Sequence, residues 1–182
     1  MSLYQKYRPK EWKEVIGQED GVKFLQNICD KSEDSQSIPH AYIFCGTHGI
    51  GKTTLARIFA RSLGTQPDDV YELDAASTSR KIDDMRDLIE SMYTLPILSK
   101  YKVYILDEAH ALTRDSSNAF LKALEEPPAH VIFILCTTDP DKIISTIRSR
   151  CNIIKFKSAS IDNIKWNLKN ISAQENITIE DE

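Results

Sequence analysis

The sequence predicts an α/β protein, a parallel sheet of five strands flanked by helices on both faces. Three observations carry that reading. Short apolar runs alternate along the chain with amphipathic stretches. Several of those runs are apolar throughout rather than alternating, as expected of strands buried on both sides. The segment Gly46-Thr47-His48-Gly49-Ile50-Gly51-Lys52-Thr53 reads G-x-x-x-x-G-K-T and sits between an apolar run and a helix-forming run, the strand–loop–helix order of a phosphate-binding unit.

Taken in order, the chain begins with a polar segment and reaches an exposed polar loop at Lys31–Ile38 (KSEDSQSI). The first core strand is Ala41–Cys45, followed by the glycine-rich loop and a helix over Thr54–Leu63. Val70–Leu73 is the second strand, and Lys81–Thr94 reads as a helix. Lys102–Leu106, Val131–Thr137 and Asn152–Phe156 complete the five strands. Ser158–Glu175 reads as a helix with Ile161, Ile164, Leu168 and Ile171 on one stripe, before the acidic tail Ile179-Glu180-Asp181-Glu182. This pattern divides the chain into a nucleotide-binding domain over residues 1–157 and the opening of a second, helical domain over 158–182. No internal repeat or low-complexity tract interrupts it.

The 182 residues suffice for one domain with a proper core, and 41% apolar with 27% charged residues is ordinary for a soluble protein. No run approaches the roughly 20 apolar residues that span a bilayer, and the N-terminus has no signal-peptide core, so a cytoplasmic location is expected and a membrane partner is not. Cys29, Cys45, Cys136 and Cys151 lie far apart without a C-x-x-C pair, which predicts reduced, mostly buried thiols and no zinc. A net charge of −4 argues against a broadly basic coat for nucleic acid, leaving a local patch or an assembly as the route to any such contact.

The chemistry concentrates at predicted strand ends. Backbone without Cβ atoms can curl around a phosphate and hand it to a helix N-terminus, so Gly46 to Thr54 form the candidate nucleotide-binding loop. Lys52 then reaches the terminal phosphates and the Thr53 hydroxyl ligates Mg²⁺. Val103 to Leu106 leads into Asp107 and Glu108. In a parallel sheet ligands gather at the carboxyl ends of strands, so Asp107 can hold the metal shell while Glu108 orients or deprotonates an attacking water. Phe133 to Thr137 ends beside Thr138, which either senses the γ-phosphate or caps the turn. Arg150, in Ser149-Arg150-Cys151, is on its own grounds a surface cation.

The phosphate loop, Asp107-Glu108-Ala109-His110, Leu124-Glu125-Glu126-Pro127-Pro128, Thr137-Thr138-Asp139-Pro140 and Ser149-Arg150-Cys151 together resemble the AAA+ clamp-loader family, and within it the bacterial DNA polymerase III gamma/tau subunits. Tyr7-Arg8-Pro9-Lys10 and Val15-Ile16-Gly17-Gln18 resemble that family's opening segment, which packs around adenine. The resemblance runs from Tyr4 to about Phe156. It implies a P-loop AAA+ domain followed by the start of a small helical lid. It also implies ATP and Mg²⁺ held by Gly46, Thr47, His48, Gly49, Ile50, Gly51, Lys52, Thr53 and Thr54, with Tyr7, Arg8, Pro9, Val15 and Ile16 around the base. Lys52, Asp107, Glu108 and the first sensor Thr138 would serve catalysis, and Thr53 with Asp107 the metal. Arg150 would be an arginine finger inserted in trans into ATP on the neighbouring subunit, an effect worth roughly 10³–10⁵ in rate, or about 4–7 kcal/mol of barrier. A copy on its own is therefore expected to bind ATP and hydrolyse it poorly.

Three departures from the family accompany the match. The cysteine-rich zinc module expected between the loop helix and the next strand is replaced by Gly64-Thr65-Gln66-Pro67, so no zinc is expected. The glycine after Asp74-Ala75-Ala76-Ser77 gives way to Thr78-Ser79-Arg80-Lys81. The rest of the lid, with its second sensor arginine, and the oligomerising collar are expected beyond Glu182, so assembly of this chain alone is expected to be weak. Arg80, Lys81 and Arg86 head a helix that in the family faces DNA, yet with Asp83, Asp84 and Asp87 interleaved they equally suit a solvated face. His110 reads as a supporting or packing residue. The Asp-Glu-Ala-His string is also similar to superfamily-two helicases, whose Gln/Arg-rich motifs are missing.

The function these features imply is that of an ATPase motor subunit of the DNA polymerase III clamp loader, not the polymerising subunit. In a hetero-pentamer with other clamp-loader subunits it would open the sliding clamp and load it onto primer-template DNA. The alternatives are a non-hydrolysing stator that resembles the delta-prime subunit, and a branch-migration helicase motor.

Overall fold

The computed structural model describes residues 2–33, 38–77 and 82–177. The expectations for Thr78 to Lys81, for part of the loop before the first strand (residues 34–37) and for the acidic tail after Ile177 lie outside the described residues, as do the side chains of Asp83 and Asp84.

Five strands, β1 (Ala41–Cys45), β2 (Val70–Asp74), β3 (Lys102–Asp107), β4 (Val131–Thr137) and β5 (Asn152–Lys155), form one parallel sheet in the order β2-β3-β4-β1-β5. The helices are α1 (Leu3–Lys6), α2 (Glu19–Asp30), α3 (Lys52–Ser62), α4 (Ile82–Met92), α5 (Arg114–Glu125), α6 (Ser145–Arg148) and α7 (Ile161–Glu175). Every residue of β1 and β4 is buried. Because successive side chains of a strand point to opposite faces, each run feeds two cores. Tyr42, Phe44, Val103, Ile105, Ile132 and Ile134 meet Leu25 of α2 and Leu55 and Phe59 of α3. Ile43, Tyr104, Leu106, Phe133 and Leu135 meet Met85 and Leu88 of α4 and Phe120 of α5. Two-sided burial is the reason these strands read as continuous apolar runs.

The predicted strands are all present, with shifts at their ends. β2 and β3 each run one residue further, to Asp74 and Asp107, because those acids continue the parallel register. β5 stops at Lys155, although the Phe156 N–H still donates to Cys45 O at 2.8 Å. The loop helix starts at Lys52 rather than Thr54: Gly51, at φ 92°, turns the chain directly into it. α5 is capped by Thr113, whose hydroxyl accepts from Ser116 N, and it ends at Glu125, where Pro127 and Pro128 forbid a further turn. α7 begins at Ile161, not Ser158, since the Ser160 side chain caps it by accepting from Asn163 N at 3.2 Å. Its expected stripe is largely open: Ile161 is 72% exposed and Leu168 is 50% exposed.

The order of strands sets the site. β1 lies beside β4, and β4 beside β3, so the chain leaves these neighbours at one edge of the sheet, at Cys45, Thr137 and Asp107. All four cysteines are free thiols; Cys45 and Cys136 are buried and Cys29 and Cys151 half-buried, with burial pushing Cys29 and Cys151 up to about 12. No described helix is long and apolar enough to cross a membrane.

Candidate active site

At the carboxyl edge of β1 and β3 a cleft of about 550 Å³ is lined by the glycine-rich loop, the start of α3 and the acids that end β3. The loop's shape needs its glycines. A Cβ on Gly46 would lie 2.2 Å from Ile50 Cδ1 and 2.7 Å from Phe156 O, so the backbone passes too close to the strand end for any side chain. Lys52, at the first position of α3, is 6% exposed and donates through Nζ to Gly46 O and Thr47 O, both at 3.0 Å. A buried ammonium whose partners are neutral carbonyls is a site prepared for an anion.

Thr53 Oγ1 donates to Asp107 Oδ2 at 2.7 Å, which joins the loop helix to the end of β3. These two hard oxygens, next to the loop, are a donor set suited to Mg²⁺. Glu108 follows in a left-handed backbone conformation, φ 48°, and lines the same cleft. His48 Nδ1 lies 3.9 Å from Glu108 Oε1, and His110 Nδ1 lies 3.3 Å from Glu108 Oε2.

A second cleft, of about 660 Å³, adjoins the first and shares Tyr4, Arg8, His48, Gly49, Gly51 and Thr54 with it. Tyr7, Pro9, Val15, Ile16, Thr47 and Ile50 line it on one side, and Ile164, Leu168 and Ile171 of α7 on the other. Arg8 Nε donates to Thr54 Oγ1 at 2.9 Å, tying the N-terminal segment to α3. Gln18 clamps the chain beyond β5 with both ends of its amide, donating to Lys157 O at 2.5 Å and accepting from Lys157 N at 3.1 Å.

The site thus gathers Gly46 to Thr54, Asp107, Glu108 and the N-terminal residues predicted around the base. Two predicted residues are not brought in. Thr138 lines neither cleft, and neither does its neighbour Thr137, which is fully buried, with its Oγ1 3.2 Å from His110 Nδ1 and accepting from Asp139 N. Arg150 lies past α6, donating through Nη2 to Glu125 Oε1 at 2.8 Å and through Nη1 to Thr146 O at 2.9 Å. Among the candidates for nucleic-acid contact, Arg80 and Lys81 lie outside the described residues, and Arg86 is exposed on α4. Among the described residues no cluster of His, Cys, Asp and Glu could hold a metal by itself.

Six residues of the first cleft escaped the sequence reading: Tyr4, Arg57, Glu72, Leu73, Asp74 and Ile105. Arg57 of α3 pairs with Glu72 of β2 through two parallel hydrogen bonds of 2.5 Å each. The signal was available, since Glu72 is a charge between the apolar Tyr71 and Leu73 of β2 and Arg57 falls one turn beyond Thr53.

A family model described as DNA polymerase III, delta subunit matches residues 64–160, just over half of the chain. The tau/gamma subunit of DNA polymerase III from Haemophilus influenzae is 39% identical over 98% of this chain and 28% of its own length. The gamma subunit from Buchnera aphidicola is 41% identical over 96% of this chain and 53% of its length. The chain therefore spans between about a quarter and a half of these curated relatives. Among solved structures, the Thermotoga maritima RuvB Holliday junction branch migration motor superposes with a TM-score of 0.77 at 26% identity, over 96% of this chain and 56% of that one. A gamma subunit-related protein of Thermotoga maritima superposes with a TM-score of 0.64 at 22% identity, a likeness of fold alone. With a five-stranded parallel sheet, a phosphate loop and these neighbours, the fold is that of an AAA+ P-loop ATPase. The chain belongs to the DNA polymerase III subunit family that the matching model describes, with gamma/tau subunits as the relatives that align along nearly its whole length.

Proposed function

We propose that this chain is the ATP-binding and ATP-hydrolysing part of a clamp-loader motor, which acts in the cytoplasm with other clamp-loader subunits to place a sliding clamp on primed DNA. The observation that carries the reading is the 2.7 Å hydrogen bond from Thr53 to Asp107, which sets metal-binding oxygens beside the phosphate loop with Glu108 on the same cleft. ATP is the substrate. Its triphosphate takes the place of the Gly46 and Thr47 carbonyls as partner of Lys52, and the loop N–H groups and the α3 N-terminus hold the remaining charge. Thr53 and Asp107 would hold Mg²⁺, which would supply neutralising charge to the triphosphate. Glu108 takes the proton of the attacking water. Tyr7, Arg8, Pro9, Val15 and Ile16 enclose the base, and the family resemblance assigns the sensor role to Thr138, which follows β4 outside both clefts.

The test uses the full-length protein with its partner subunits. Glu108→Gln keeps the ATP dissociation constant while lowering the hydrolysis rate by roughly 10²–10⁴-fold, the usual contribution of a general base. Lys52→Ala loses binding itself. If calorimetry with a nonhydrolysable ATP analogue finds no binding to the wild type, the chain is a stator and the motor reading fails. A DNA-translocating branch-migration motor is the second reading, favoured by the RuvB likeness. Strand displacement by the full-length protein without any clamp would establish it in place of clamp loading.

A further inference from the structure

Glu108 is held in an unusual way. It adopts the left-handed backbone region, where only one other non-glycine described residue, Asn176, is found. Asn176 ends a helix, where such a conformation is common, whereas Glu108 sits between the end of β3 and the short helical turn Ala109–Ala111. Its carboxylate lies beside the His110 ring, and one oxygen, Oε2, is buried without a hydrogen-bond partner. A buried carboxylate oxygen left unpaired is unstable in place unless a donor comes to it.

The donor at hand is His110. Its Nδ1 is 3.3 Å from that orphaned oxygen, though not aligned with it, and 3.2 Å from the hydroxyl of Thr137. Thr137 cannot drift: it is fully buried at the end of β4, and its hydroxyl also accepts from Asp139 N at 3.0 Å. In the tautomer that carries its proton on Nδ1, a small turn of the imidazole within the short helical turn Ala109–Ala111 moves that N–H from the hydroxyl to the carboxylate. One ring atom therefore links the end of β4 to Glu108, and the rest of the ring serves only to present it.

We propose that His110 is a positioning residue for the water-activating Glu108, with Thr137 as its anchor, so that the end of β4 sets the orientation of the carboxylate. The inference rests on the ATPase reading above and deepens it. His110 touches neither nucleotide nor water; it acts through Glu108. Because the linking atom is Nδ1, the side chain that can replace histidine is asparagine, whose amide N–H₂ stands where Nδ1–H stands. Glutamine places its amide at the Nε2 position instead.

The experiment is steady-state ATP hydrolysis by the full-length protein in its subunit complex, with nucleotide binding and thermal melting measured in parallel. His110→Ala lowers kcat by about ten- to a hundredfold, the penalty of misplacing a reacting group by about an ångström, while KM for ATP stays within a factor of about two. His110→Asn restores most of the rate and His110→Gln does not. Thr137→Val lowers kcat as His110→Ala does, and the double variant is no worse than either single one. The inference is overturned if His110→Ala keeps the wild-type kcat, if Gln rescues as well as Asn, or if the loss follows the melting temperature rather than the Asn/Gln distinction. Failure of the underlying reading looks different: Glu108→Gln would then hydrolyse ATP at the wild-type rate, whatever happens at His110.

Discussion

At the scale of single residues, burial separates side chains that the sequence presents as equals. Asp68 and Asp69 are adjacent in a polar stretch before β2, yet Asp68 is exposed and Asp69 is fully buried. Asp69 accepts from Ile97 N at 2.6 Å and Leu98 N at 2.9 Å, pinning the segment that precedes β3. Burial pushes its carboxyl up, but the N–H groups of Ile97 and Leu98 and the Ser99 contacts outweigh that and hold it below the ordinary 3.8. A group whose folded value lies below its unfolded one adds stability that is complete above the unfolded value and is lost as pH falls through the folded one. Asp69→Ala is therefore expected to destabilise the fold by roughly 1–3 kcal/mol at neutral pH, from two orphaned donors, and by less in acid. Denaturant melts at pH 7 and near pH 3 measure it; a deficit that stays constant between the two contradicts the carboxylate as its source. Residue-level roles were legible only where a side chain belongs to a spaced pattern. Lys52, Thr53, Asp107 and Glu108 were readable from the loop and the strand end, and the Arg57–Glu72 pair left a trace in the charge within β2, whereas Asp69 and Thr137 depend on partners far along the chain.

Elements were more legible than their meetings. The five strands announced themselves because both faces of the sheet are covered; helix starts moved at Gly51 and Ser160, where a glycine and a cap intervene, and α4 stops at Met92, two residues before the expected Thr94. What the sequence does not encode locally is that the last turn of α7 returns to the first helix. Glu175 accepts from Lys6 Nζ at 2.6 Å and from Tyr7 OH at 2.5 Å, and those two partners hold its carboxyl below the ordinary 4.5. The hydrogen bond to Glu175 likewise raises the Tyr7 phenol. By the same sign, this strap is complete above the ordinary glutamate range and released as pH falls through the lowered value. The contacts are solvent-accessible, so their contribution to global stability is small, but α7 has no buried residue of its own and depends on such ties. Glu175→Gln is expected to speed hydrogen exchange in α7 at neutral pH, leave exchange in β1 and β4 unchanged, and weaken ATP binding slightly, since Tyr7 and α7 both line the second cleft. Uniform acceleration across the sheet would instead mean that the strap supports the whole fold.

At the scale of the whole molecule, the question is how a site on one chain answers to another. The residues proposed to bind or activate ATP gather around the two adjoining clefts, except Thr138 and Arg150; this chain pairs Arg150 with Glu125 at the end of α5. The Arg150 side chain is 37% exposed and that of Glu125 53%, and an ion pair so open to water contributes about 0–1 kcal/mol. Glu125 therefore orients the guanidinium without trapping it, and a triphosphate from a neighbouring subunit can outcompete a single carboxylate. Arg150→Ala is accordingly expected to leave this chain's own ATP affinity nearly intact and to lower hydrolysis at the adjacent subunit by roughly 10³-fold or more, the scale of an arginine finger. Mixed assemblies read this directly: Arg150→Ala in a subunit whose own site is silenced by Lys52→Ala should depress a wild-type neighbour. Glu125→Ala should leave the melting temperature nearly unchanged, because an exposed pair adds little, while reducing the neighbour's rate less than Arg150→Ala does. If Arg150→Ala instead impairs only the site on its own chain, the arginine acts in cis or structurally, and catalysis in this family member does not require a second subunit.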